Sequence, residues 1–88
     1  MAEDEAPTSG QNLRAWRNAY GYSTREVAAK LEVVLGSRAV SHGSLSRYES
    51  GKQEIPLRIV EALGQLYGVP AGVLLMMPPP EKIAAKPA

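Results

Sequence analysis

The residues with chemistry to offer gather in one run: Ser41-His42-Gly43-Ser44-Leu45-Ser46-Arg47-Tyr48-Glu49-Ser50-Gly51-Lys52. It holds the chain's one histidine, four serines, an arginine and a lysine, against a single carboxylate. Hydroxyls, an imidazole and a guanidinium fork suit acceptor edges and anions better than they suit bond breaking. The bond-breaking alternatives are poorly supplied. Without cysteine there is no disulfide, zinc ribbon or thiol nucleophile, and one histidine makes no His-rich metal site. No glycine loop matches a phosphate-binding signature, and no nucleophile stands at an interpretable spacing from a base. The expectation is no catalytic residue, no metal and no cofactor.

The elements around this run come from one small domain, since 88 residues leave no room for a second core. A core of that size gives marginal stability unless the chain pairs with a copy of itself. The longest apolar run, Val73 to Met77, is far short of the ~20 residues that span a bilayer. Glu3, Asp4 and Glu5 make the N-terminus acidic, unlike a secretory or transit peptide. These features read as a soluble, non-enzymatic protein of a reducing, cytoplasmic compartment. Net charge is +1, but between Gln11 and Leu75 eight basic residues face five acidic ones, leaving that part at +3. A mildly cationic domain is compatible with a nucleic-acid partner without establishing one.

Residues 1–10 lack apolar periodicity and read as a disordered acidic arm; residues 77–88, rich in proline, read as a disordered tail. Between them, in a domain spanning 11–76, the periodicity is helical and no segment alternates as a strand would. A first helix is expected from Gln11 to Tyr20, capped by Ser9, with Leu13, Trp16 and Tyr20 on one face and Gly21 as its stop. The second starts at Ser23, with Glu26 completing a capping box. Its apolar face is Val27, Ala28, Leu31, Val34 and Leu35, and Gly36 ends it. A short third helix begins after Ser41 and ends at Ser50-Gly51, turning Leu45 and Tyr48 inward. Pro56 opens a fourth, with Leu57, Val60, Leu63 and Tyr67 inside and Gly68 as its close. Pro70 opens a last turn or two carrying Val73, Leu74 and Leu75. Five short helices with brief connections predict a compact all-α orthogonal bundle. Trp16, Tyr20 and Tyr67 could stack single-stranded bases, but their spacing among leucines favours core packing.

Taken together, Leu13-Arg14 with Arg17, the Gly21-x-Ser23 turn, Glu26 with Ala28, the Ser46-to-Lys52 run, and Leu63 to Gly68-Val69 resemble the lambda-repressor/Cro (Xre-type) helix-turn-helix domain. The resemblance covers roughly residues 12–75, and its motifs are specific in combination rather than singly. One departure stands out. The stretch EVVLGSRAV between Leu31 and Ser41 is several residues longer than the tight turn usual in the family. It reads as an extra turn on the second helix, Glu32–Leu35, followed by a loop, Gly36–Val40.

The resemblance implies that the third helix is a recognition helix in the major groove of duplex DNA, with His42, Gly43, Ser44 and Arg47 meeting base edges. Arg47 can donate a bidentate pair to guanine O6 and N7. Phosphate contacts are expected from Ser23, Thr24, Arg25, Arg38, Ser41, Ser46, Ser50 and Lys52, several at helix starts where free N–H groups face an anion. The family also carries an arginine and a glutamate at the positions of Arg17 and Glu49, which implies a structural salt bridge joining the first helix to the third. One short helix discriminates too little alone, so a homodimer on a palindromic site is expected, with Val73, Leu75, Met76 and Met77 as the subunit interface. The leading expectation is a sequence-specific transcriptional regulator, a repressor of bacterial or phage origin, open to control by a partner protein. The alternatives are an antitoxin-like or anti-repressor-like interaction module and a nonspecific DNA-coating protein.

Overall fold

Residues that favour helix ends divide the chain, and the computed structural model, which describes residues 8–36 and 40–80, places its helices between them. They are α1 (Ser9–Tyr20), α2 (Thr24–Leu35), α3 (His42–Ser50), α4 (Leu57–Tyr67) and α5 (Ala71–Met76). No strand occurs among the described residues. The fold is all-α, as the helical periodicity predicts.

The first helix starts two residues earlier than expected, and its cap is Thr8 rather than Ser9. A capping box needs Glu or Gln three residues after the cap. Gln11 satisfies that for Thr8, whereas Ser9 is followed by Asn12. Thr8 Oγ1 accepts from the Gln11 N–H at 3.1 Å, and Gln11 Oε1 accepts from the Thr8 N–H at 2.9 Å. Ser9 and Gly10 are therefore helical, not part of an arm. The α2 box is the one expected, with Ser23 and Glu26 exchanging bonds of 3.0 and 2.8 Å.

Helix α2 does continue through Leu35, so the extra turn is real. It ends at Gly36, whose φ of 84° and ψ of −146° lie in a region essentially reserved for glycine. The added turn buries little: Val33 is 85% exposed, and Val34, expected inside, is 37% exposed. A second correction concerns α4, where Leu57 is 66% exposed and Ile59 takes the inner place at 0%. Each step of three residues falls about 60° short of a full turn, so counting back from Leu63 through Val60 to Leu57 walks off the stripe. The step of four, Leu63 to Ile59, stays on it.

The five helices pack as a closed ring, with α1 between α3 and α5. Helix α2 packs on α3 and α4, and α4 on α5. The core joins Leu13, Trp16, Val27, Leu31, Leu45, Ile59, Leu63 and Leu74 with Tyr22, Tyr48 and Tyr67. Each fully buried leucine or isoleucine contributes roughly 1.5–3 kcal/mol. Trp16, Tyr20 and Tyr67 belong to this packing: the Tyr20 and Tyr67 ring centroids are 4.9 Å apart, and the Tyr20 hydroxyl donates to the Tyr67 carbonyl at 2.8 Å. They form no exposed stacking platform.

The end of α5 is tied back to α1 through polar groups. Asn12 Nδ2 donates to the carbonyls of Leu74 and Met77, each at 2.6 Å, and the Trp16 indole N–H donates to Met77 O at 2.9 Å. Orphan carbonyls at a helix C-terminus thereby find partners in a buried setting. Asn12 is buried for that reason.

Candidate nucleic-acid interface

Helices α2 and α3 pack against each other. On α3, Leu45 and Tyr48 are buried, as their spacing predicts, and so is Glu49. Glu49 would put a carboxylate near the outward face of the helix if it turned over. Instead Arg17 holds it from α1: Nε to Oε2 is 2.7 Å and Nη2 to Oε1 is 2.9 Å. The third guanidinium nitrogen, Nη1, donates to the Tyr22 carbonyl at 2.8 Å. The two side chains are 14% and 6% exposed. The bond to Glu49 raises the Arg17 pKa despite the opposing effect of burial, so the arginine stays charged. Arg14 Nε adds a longer contact to Glu49 Oε1 at 3.5 Å.

The same seam is closed by backbone approach. A Cβ placed on Gly10 would stand 2.5 Å from the Tyr48 carbonyl oxygen and 2.6 Å from that of Glu49. Only a residue without a side chain lets α1 lie so close to the end of α3. Neither Gly10 nor Asn12 stood out in the sequence as a site residue.

The outward face of α3 is arranged differently. Ser41 caps the helix, its Oγ accepting from the Ser44 N–H at 3.1 Å and donating to Ser44 Oγ at 3.2 Å. Ser44 Oγ also accepts from Arg47 Nη2 at 3.1 Å, and Arg47 Nε donates to Gln53 Oε1 at 3.1 Å. Gly43 lies beneath the guanidinium, since a Cβ there would sit 3.7 Å from Arg47 Nη1. The fold thus brings together Ser41, Gly43, Ser44 and Arg47. Gln53, just past the helix, joins them, and no motif in the sequence pointed to it. His42 and Ser46 are exposed on the same short helix without entering this network.

The expected phosphate residues differ in what they offer an anion. Lys52 and Arg25 are exposed, and the Lys52 N–H is fixed by the Arg47 carbonyl at 3.0 Å in the turn where Gly51 has φ 80°. At the start of α2, Thr24 is half-buried, and the Glu26 carboxylate already occupies the Ser23 N–H, which reduces what that end offers an anion. The start of α3 has no acidic residue in its first turn. Ser50 turns its hydroxyl to the Arg47 carbonyl at 3.2 Å, closing its own helix. Arg38 lies outside the described residues. On α5, Val73 and Leu75 pack partly on the core while Met76 is 83% exposed and Met77 is exposed beyond it.

Among the described residues no cluster of His, Asp or Glu could hold a metal ion, and no helix is long and apolar enough to cross a membrane. The family model of the helix-turn-helix domain matches residues 10–75. No curated protein and no solved structure matches the chain. With three quarters of its length covered, the chain belongs to the helix-turn-helix domain family, a class whose partner is DNA and whose architecture is the one the lambda-repressor/Cro resemblance implied.

Proposed function

We propose that the protein is a sequence-specific regulator of transcription that binds duplex DNA by laying α3 in the major groove. One observation carries the reading: the only carboxylate on α3 is buried and neutralised by Arg17, so the outward face carries no negative charge. A phosphate-lined groove repels an exposed acid and attracts such a face. His42, Gly43, Ser44 and Arg47 are the base-contacting residues in this reading, with Arg47 on a guanine. Ser41, Ser46, Lys52, Thr24 and Arg25 meet phosphates, and Ser23 and Ser50 hold the helix ends that face them. Arg38, outside the described residues, joins the phosphate contacts on the sequence resemblance alone.

The protein acts as a homodimer on a palindromic site, through the apolar surface of α5 formed by Val73, Leu75, Met76 and Met77, and represses by occluding a promoter. Its setting is the cytoplasmic nucleoid of a bacterium or the host of a phage. Selection of bound duplexes from a random pool tests all of this together. The expected product is a palindrome with half-sites about one helical turn apart or a multiple of it. Enrichment of no sequence would refute specific recognition, and a single unpaired half-site would refute the dimer. Absence of binding at ~50 mM salt would leave the interaction-module reading, for which Val33 and Leu57 are exposed apolar residues.

A further inference from the structure

We infer that Gln53 is a positioning residue for sequence readout: with Ser44 it clamps the Arg47 guanidinium so that only its far edge is free for a base. This inference rests on the proposed role of Arg47. An arginine carries five N–H donors. Gln53 takes the one on Nε and Ser44 takes one on Nη2. Among the described residues Nη1 donates to no protein acceptor, and it lies over Gly43, where no side chain intervenes. Three donors therefore stay free, two on Nη1 and one on Nη2, and one from each nitrogen makes the end-on pair whose spacing suits guanine O6 and N7.

Both clamping groups are neutral, so they fix the fork without cancelling its charge. Ser44 Oγ accepts twice, from Arg47 and from Ser41, which leaves its own O–H to donate outward. Held this way, a long exposed side chain loses less conformational freedom when it meets DNA. A free arginine of the same sequence position would also accept side-on geometries and tolerate more bases. Gln53 thus acts on specificity through Arg47, not by touching DNA.

The test uses the full chain as wild type, Gln53→Met, Arg47→Ala and the double variant. Each is titrated against the selected duplex and against the duplex changed at the base pair whose preference Arg47→Ala removes. Gln53→Met keeps the side-chain length and removes the acceptor. It should cut the preference at that base pair by about two- to tenfold, the range of one hydrogen bond. It should change nothing in the Arg47→Ala background or in thermal unfolding. In the free protein, exchange of the Arg47 side-chain Nε–H, followed by NMR, should be slowed in wild type and fast in Gln53→Met.

An effect of Gln53→Met that persists without Arg47 would mean that Gln53 contacts DNA itself, and would overturn the inference. Equal exchange in both proteins would overturn the clamp. If Arg47→Ala alters no base preference, Arg47 is not a reader and the positioning role goes with it, even where slowed exchange shows the clamp to exist. The exchange experiment thus separates a failed clamp from a failed reading of Arg47.

Discussion

Arg17 and Arg47 are both arginines with fixed guanidinium groups, yet they serve opposite ends. Arg17 lies in the α1–α3 seam against a carboxylate, and its charge is consumed within the fold. Arg47 lies on the outer face of the same α3 against an amide and a hydroxyl, and its charge remains available. The partner's charge, more than the donor's identity, separates an arginine spent within the fold from one whose charge stays available. The two faces of one nine-residue helix thus divide the work: the inner face sets where the helix lies, and the outer face, in the proposed function, sets what it recognises.

That division makes the seam and the face separable by mutation. Arg17→Ala strands a buried carboxylate, which should cost about 3–5 kcal/mol, enough to unfold much of a domain this small at ambient temperature. Urea or thermal unfolding measures it, and a loss below about 1 kcal/mol would show that Glu49 escapes to water. Gly10→Ala should cost about 1–3 kcal/mol by pushing α1 off the backbone of α3. It should also weaken DNA binding, because α3 tilts as it yields; unchanged stability would mean the seam is softer than its distances imply.

On the outer face the effects should reverse. Arg47→Ala should leave unfolding within ~0.5 kcal/mol of wild type and weaken cognate binding by about 1–3 kcal/mol, relaxing one base pair. Equal weakening on every duplex would move Arg47 from base to phosphate. Lys52→Ala should weaken all duplexes alike and lower the salt slope by about one, as read from gel shifts across a salt series.

The smallest expected effect lies in the core beside the seam. Burial pushes the Tyr67 phenol well above its ordinary pKa, with the Glu49 charge adding to the shift. Folding then favours the protonated phenol, so stability is unaffected below the ordinary value of about 10 and declines as pH rises past it, when the unfolded chain ionises first. Urea midpoints from pH 8 to 11 should show this decline in wild type and a shallower one in Tyr67→Phe. Identical slopes would assign the decline to other groups.

Much of this was legible in the sequence because it depends on local chemistry. Ser23 with Glu26, the glycines after each of the first four helices, and the prolines before α4 and α5 announce helix ends without reference to the rest of the fold. Leu45 and Tyr48 are inward because their spacing leaves no other choice. The misreadings came where a local signal was counted imperfectly, as with Ser9 for Thr8 and Leu57 for Ile59, or where an apolar residue outran its cover, as at Val34. Gln53, Asn12 and Gly10 were not legible. Each matters only through a partner far along the chain or through a side-chain conformation, and a glutamine after a glycine-lysine turn carries no mark of the arginine it holds.

Asn12 and Trp16 grip the last carbonyls of α5 from the same helix whose Gly10 and Arg17 grip α3. The first helix is in effect a crossbar bolted on two sides. Whatever seizes the C-terminal edge of the domain, a second subunit or another protein, therefore gains a stiff handle on the helix at the opposite side. Altering the grip at one edge should reset the angle at the other, with α1 alone carrying the change.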